Sequence, residues 1–218
     1  MSSKIKRPAF AMSRRRKASI VALCLLPVAV FIWLDHSELK VRWLQQVKSE
    51  EQVKGHDLEK YHKNTFTVVK VVDGDTIDID VPDGQYEHTR IRLWGIDTPE
   101  SKSPDTGVMY FGPEAAEFTT KLSLGKQVTV YLEEHRTRGK YGRLLAYVQL
   151  PDDRFLNEVL ITEGFAYSDL RFRHSLYHSY KQLEGLARRQ KKGLWEKVTR
   201  EQLPAWLQRM RPDLVGEK

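Results

Sequence analysis

Residues 72–100 read VDGDTIDIDVPDGQYEHTRIRLWGIDTPE. Two runs within this stretch, TIDIDV at 76–81 and TRIRLW at 89–94, alternate polar with apolar residues, the period of a half-buried strand. PDGQ at 82–85 supplies the proline and glycine of a turn between them. Outward from this hairpin, TFTVVKVV (65–72), QVTVYL (127–132) and RLLAYVQL (143–150) have the same strand-like composition. Five short strands are what a small Greek-key barrel of the OB type requires.

Three helices are expected beside the strands. Glu114–Leu122 carries Ala115, Phe118 and Leu122 at helical spacing after the start signal Gly112-Pro113. Leu156–Thr162 is closed by Gly164, and Ser175–Lys192, basic at its end, by Gly193. The expected class is therefore α+β: a five-stranded OB-fold barrel with three helices.

The same stretch interleaves carboxylates with arginines. Asp75, Asp97 and Glu100 can supply hard oxygen ligands and a base, while Arg92, and Arg143 of GKYGR, can clamp a phosphate bidentately. Phosphodiesters resist attack because their anionic oxygens repel a nucleophile and the transition state gathers more charge. A hard cation with preorganised guanidinium groups answers that electrostatically. Only oxygen donors are on offer, which suits Ca2+. Each string alone has a plainer reading: Asp73-Gly74-Asp75 as a turn, DTPE as a helix start, Arg92 as an exposed strand residue.

Five landmarks in order, DGDT, an Arg-bearing strand, DTPE, YFGPEA and KYGR, make the stretch from about Thr65 to Trp195 resemble the staphylococcal nuclease (thermonuclease) family. The resemblance implies the OB barrel with three helices, and cleavage of DNA, and of RNA as a further substrate, with little sequence preference, leaving 3′-phosphate ends. It implies Asp75 and Asp97 as carboxylate ligands of the metal and Thr98 as a ligand through its backbone carbonyl. Glu100 would act on the attacking water, Arg92 would bind the scissile phosphate, and Arg143 would stabilise developing charge. Because a guanidinium does not readily give up its proton, Arg143 is expected to act electrostatically first.

Lys140 and Tyr141 match family positions near the substrate phosphate, an ordinary hairpin Lys-Tyr being the plainer alternative. Lys102 lies on a loop whose family equivalent touches nucleic acid, a solvated loop being the equal alternative. Where the family has two tyrosines bracketing a nucleotide, GFAYSDLRFRH aligns Leu170 and Phe172. Phe172 can stack on a base and Leu170 cannot. The competing class is an OB module that binds nucleic acid or protein without cutting, but such modules typically lack some of these acids or arginines. His174 and His178, four apart, are expected as a surface pair, and the Arg188–Lys192 basic run as a solvated helix end.

Outside the barrel the chain changes character. Lys4, Lys6, Arg7, Arg14, Arg15, Arg16 and Lys17 precede any acid, so the net charge of +7 resides in this tail, and the remaining 29 Lys+Arg balance 29 Asp+Glu. Any grip on a polyanion must come from local cationic patches. ASIVALCLLPVAVFIWL, residues 18–34, is uncharged over 17 residues, the lower limit for a bilayer span of roughly 17 to 25 residues.

Residues 1–17 are expected as a basic cytoplasmic tail, 18–34 as a transmembrane anchor and 35–64 as a polar juxtamembrane spacer. The nuclease-like domain follows at 65–196, on the extracytoplasmic side, with a C-terminal extension at 197–218. A cleaved signal peptide or an organelle-targeting segment is the lesser alternative. Cys24 is the single cysteine, which leaves no disulfide within one chain. For the extension, a short helix packing Trp206 and Leu207 on the domain is expected, and no chemistry.

Overall fold

β1 (Thr65–Asp73) is longer than its neighbours because it serves two of them. Its first residues pair with β5 (Gln127–Tyr131), Thr65 opposite Thr129, and its last with β2 (Thr76–Ile79), Asp73 opposite Thr76. Register shifts at Val68–Lys70 and Val71–Asp73 interrupt the ladder, and such irregularities bend and twist a strand. β3 (Thr89–Leu93) continues antiparallel to β2, then pairs parallel with β6 (Leu144–Gln149), Ile91 opposite Leu144.

In this computed structural model the strands close into a barrel of order β1-β2-β3-β6-β5, the expected architecture. Residues 39–102, 107–212 and 214 are described. The expected tail and anchor at 1–34 lie outside the described residues. Among those described, no helix is long and apolar enough to cross a membrane.

The chain divides into a unit ending at Gln52 and a unit of residues 53–218. A helix over 39–61, α1, crosses that division. In the first unit its residues are largely exposed, Trp43 and Leu44 among them. In the second unit, residues assigned by sequence to the spacer belong to the core. Tyr61 is fully buried, its hydroxyl 3.0 Å from Thr89 Oγ1. Asp57, also fully buried, accepts hydrogen bonds from Thr137 Oγ1 (2.8 Å) and from Arg138 Nε and Nη2 (2.8 and 2.6 Å), and Arg138 also pairs with Asp83 (2.6 Å). The partners of Asp57 lie about 80 residues along the chain, out of reach of local periodicity.

Removing one member of such a buried ion pair leaves the other charge uncompensated. Arg138→Met is therefore expected to destabilise by about 3–5 kcal/mol, read as a lower denaturation midpoint at unchanged slope.

After β3 come the two-residue β4 (Ile96–Asp97), α2 (Gly112–Ser123), β5 (Gln127–Tyr131) and β6 (Leu144–Gln149). α3 (Leu156–Thr162) has the expected bounds and ends at Gly164, φ +75°. β7 (Tyr167–Ser168) pairs with β4, Asp97 opposite Tyr167. α4 (Tyr177–Arg189) is shorter than the expected Ser175–Lys192, since the backbone at His174 and Ser175 still runs as the segment leading into it. A final helix, α5 (Ala205–Met210), lies in the C-terminal extension.

Alternate side chains of the strands, Val68, Ile77, Ile91, Val130, Leu144 and Val148, fill the barrel, and Leu156 and Leu160 of α3 join this core. A second cluster of Tyr167, Leu170, Ala187, Trp195, Leu203, Trp206 and Leu207 holds the extension against α4 and β7. Trp206 and Leu207 pack as the sequence suggests.

Glu184 of α4 is fully buried, and burial pushes its carboxyl up to about 7, above the ordinary 4.5. The folded state then holds this proton more tightly than the unfolded chain. The resulting stability is present below about pH 4.5 and is lost as pH rises through about 7, on the order of 3 kcal/mol in all. Glu184→Gln is expected to flatten that part of the melting-temperature profile.

Candidate active site

The turn between β1 and β2 brings its acids onto the DTPE segment by backbone contact. Asp73 Oδ1 accepts from the amides of Gly74 (2.9 Å) and Ser101 (3.2 Å). Asp75 Oδ2 accepts from the Thr98 amide (2.9 Å), and Asp75 Oδ1 from Thr76 Oγ1 (3.0 Å). Gly74 is needed because the two segments nearly touch: a Cβ there would lie 2.7 Å from Thr98 Oγ1. Thr119 Oγ1 of α2 donates to the Gly74 carbonyl (2.6 Å) and fixes the turn from behind. Asp73 thus makes its turn and also ties that turn to the DTPE loop.

Asp97 reaches the same place from β4. Arg92, on β3, forms ion pairs with both Asp75 and Asp97 through its two terminal nitrogens. Two nearly buried carboxylates therefore converge on one positive charge. Among the described residues no three His, Cys, Asp or Glu side chains gather as a metal cluster. The set expected from sequence is smaller, two carboxylates and a backbone carbonyl. The donors fit a hard divalent cation: they are all oxygen, Asp75 and Asp97 both face the Arg92 guanidinium, and the buried Thr98 hydroxyl beside them has no hydrogen-bond partner.

Glu100 stands at the solvent edge of this group. Desolvation, then a hydrogen bond and repulsion from Asp73, then repulsion from Asp97, push its carboxyl up to about 7, with Arg92 opposing. The YFGPEA motif positions it. A Cβ on Gly112 would lie 2.3 Å from the Glu100 carbonyl oxygen, so the start of α2 packs directly on this backbone, and the Met109 amide donates to the same carbonyl (2.9 Å).

Arg143 is half-buried. Burial, then the neighbouring Arg92 and Arg90, lower its pKa from the ordinary value, while Glu100 raises it. Guanidinium groups that repel one another in a desolvated setting favour an anion between them. Tyr141 is 77% exposed, with the Arg143 guanidinium 5.9 Å and the Lys140 ammonium 5.7 Å from its ring. Arg143 and Tyr141 line a cleft of about 760 Å³ together with Arg90 and Tyr86. Asp97, Thr98 and Glu100 line another, of about 750 Å³.

Phe172 is 40% exposed, its ring 5.9 Å from Trp94 and 5.3 Å from the Arg136 guanidinium. It is partly exposed beside Trp94, Arg136 and Arg171, whereas Leu170 is buried in the second cluster. Lys102 is exposed, and residues 103–106 of its loop lie outside the described residues. The expected surface pair of histidines is not found. His174 is 7% exposed, with Nδ1 3.0 Å from the Tyr147 hydroxyl. It precedes α4, so it shares no helix face with His178.

Two further side chains stand at the site that the sequence motifs do not mark. Arg171 Nη2 lies 3.1 Å from Asp97 Oδ1, and the Trp206 indole Nε1–H donates to Asp97 Oδ2 (2.8 Å). Arg171 stands in the stretch that carries Leu170 and Phe172, where a basic residue could have drawn attention. Trp206 gave no signal except that a buried indole needs an acceptor.

The profile of the family described as Staphylococcal nuclease homologue matches residues 90–197. A thermonuclease of Staphylococcus hyicus is 34% identical over 143 residues, spanning 65% of this chain and 82% of that protein. A thermonuclease of Staphylococcus intermedius is 45% identical over 102 residues, 47% of this chain and 58% of that one. An uncharacterized endonuclease of Escherichia coli O157:H7 is 34% identical over 150 residues, 66% of this chain and 84% of that one.

Proposed function

The chain belongs to the staphylococcal nuclease family and is a hydrolase that cleaves phosphodiester bonds, and from that premise we propose a calcium-dependent endonuclease of DNA and RNA with little sequence preference. The observation that carries this reading is the convergence of Asp75 and Asp97 on Arg92 with Glu100 alongside. The family's chemistry uses a metal ion; calcium is the reading favoured by an all-oxygen donor set.

Asp75, Asp97 and the Thr98 carbonyl would hold the cation, which when bound supplies Lewis-acid charge to a phosphate oxygen. The protein's own groups do the rest. Arg92 and Arg143 hold the non-bridging phosphate oxygens and take up the charge that grows as water attacks phosphorus. Glu100 accepts the water's proton; a carboxyl tuned to about 7 is matched to that task near neutral pH. The bond from phosphorus to the 5′-oxygen breaks, the 5′-hydroxyl leaves with a proton from solvent, and the phosphate stays on the 3′ side. Phe172, with Arg136 against its ring, offers a face for a base, and Lys140 and Tyr141 a grip on a neighbouring phosphate.

The test is incubation of the full chain with single-stranded DNA in calcium, in magnesium and in a chelator. Cleavage in calcium alone, leaving 3′-phosphate ends, is expected. Cleavage in chelator would contradict the metal requirement, and equal cleavage in magnesium the choice of calcium.

The proposal extends to location. The uncharged run at 18–34, with seven cations before it, supports a single-pass tether with the N-terminus in the cytoplasm and the nuclease domain outside. Protease added to cells stripped of any outer membrane and wall is expected to remove the nuclease domain, on its periplasmic or extracellular side; a domain protected until the cytoplasmic membrane is lysed would reverse the topology.

A further inference from the structure

The carboxylate of Asp97 is held on both oxygens. Arg92 and Arg171 approach Oδ1, and Trp206 donates its indole N–H to Oδ2 at 2.8 Å. Trp206 lies in α5, beyond the 90–197 span that the family profile matches. It is 9% exposed, anchored by Leu203 and Leu207 in the second cluster. The Arg171 guanidinium covers its ring at 4.4 Å. Arg171 is itself fixed by Asp169, through Nε to Oδ1 and Nη2 to Oδ2, both 2.8 Å. Trp206 also lines the 750 Å³ cleft onto which Asp97 and Glu100 open.

We infer that the C-terminal extension is a working wall of the active site, and that Trp206 is a positioning residue that orients Asp97 for the metal. The inference rests on the metal-dependent reading above. The choice of side chain has a physical reason. Arg92 and Arg171 already bring two cations to Oδ1, and a third on Oδ2 would set still more positive charge against a divalent ion. The neutral indole N–H holds the second oxygen without adding to that charge. Groups that hold a ligating carboxylate in this way typically contribute 10–100-fold to metal affinity or activity.

The experiment compares the full chain with Trp206→Phe, which keeps an aromatic ring in the cluster and removes the donor. Calcium binding to the substrate-free protein is followed by calorimetry, the metal-free melting temperature is recorded, and cleavage is titrated against calcium. Expected are an affinity about tenfold weaker or more, a metal-free melting temperature close to that of the parent, and cleavage that recovers at high calcium.

An affinity equal to the parent's would overturn the inference, and so would a loss of turnover that excess calcium cannot restore. A parent chain that binds no calcium would overturn the calcium reading itself, a different result. Should Trp206→Phe fold poorly, the unaltered chain answers by NMR. Its assigned Trp206 indole N–H resonance is expected to shift on saturation with calcium, and an unmoved resonance would overturn the inference.

Discussion

Glu100→Gln is expected to lower the cleavage rate by about 10²–10⁴-fold, the usual contribution of a general base, while calcium binding and melting temperature stay near the parent's. Glutamine keeps the shape and hydrogen-bonding capacity of the side chain but cannot take a proton from water. The environment supports this role. Desolvation and the Asp73 carboxylate push the Glu100 carboxyl up to about 7, so a substantial protonated fraction exists near neutrality. A base must be deprotonated to act, so in the parent the rate is expected to rise with pH through the Glu100 titration. In Glu100→Gln that rise should vanish. A variant that retains parental rate and pH profile would remove Glu100 from the chemistry.

Arg143→Met separates catalysis from stability. Losing one preorganised group that stabilises transition-state charge costs about 10²–10³-fold in rate. Stability should not fall with it, because the charge removed is repelled by Arg92 and Arg90 and is half-desolvated, while methionine preserves most of the apolar stem. The melting temperature is expected to equal or exceed the parent's, the pattern of a site that holds unfavourable charge for function. Arg143→Lys should recover part of the rate, since an ammonium restores the charge but not the bidentate fork. Equal rates in the parent and Arg143→Met would contradict the assignment.

The barrel was legible because each strand announces itself locally. TIDI and TRIRL are paired as their alternation suggests, Ile77 opposite Ile91, and α3 occupies its expected residues. The residues proposed for the site stand out for a related reason: DGD, DTPE and GKYGR fall at strand ends and in the turns and loops that follow them, where unusual residue strings are not imposed by packing. What the sequence concealed is long-range. Asp57 reads as one more acid in a polar helix until Arg138 is placed against it. His174 appears to pair with His178 only if the helix starts early, and α4 begins at Tyr177.

Trp206 looks like an apolar anchor and is one, yet its N–H reaches a carboxylate 109 residues away in sequence. Buried hydrogen bonds of this kind depend on tertiary placement, which neither period nor composition encodes. The same limit explains why Arg171 carried no expected role although its neighbour Phe172 did.

The most direct measurement is a calcium titration of the full chain in which occupancy, by calorimetry, and cleavage of single-stranded DNA are followed in parallel, with Asp75→Asn beside the parent. In the parent both curves should share one half-saturation point. In Asp75→Asn, which removes a charge from the pair that converges on Arg92, both should shift together to much higher calcium. Cleavage that persists in chelator, or that is unchanged in Asp75→Asn, would contradict a metal-dependent site built on Asp75, Asp97 and Glu100.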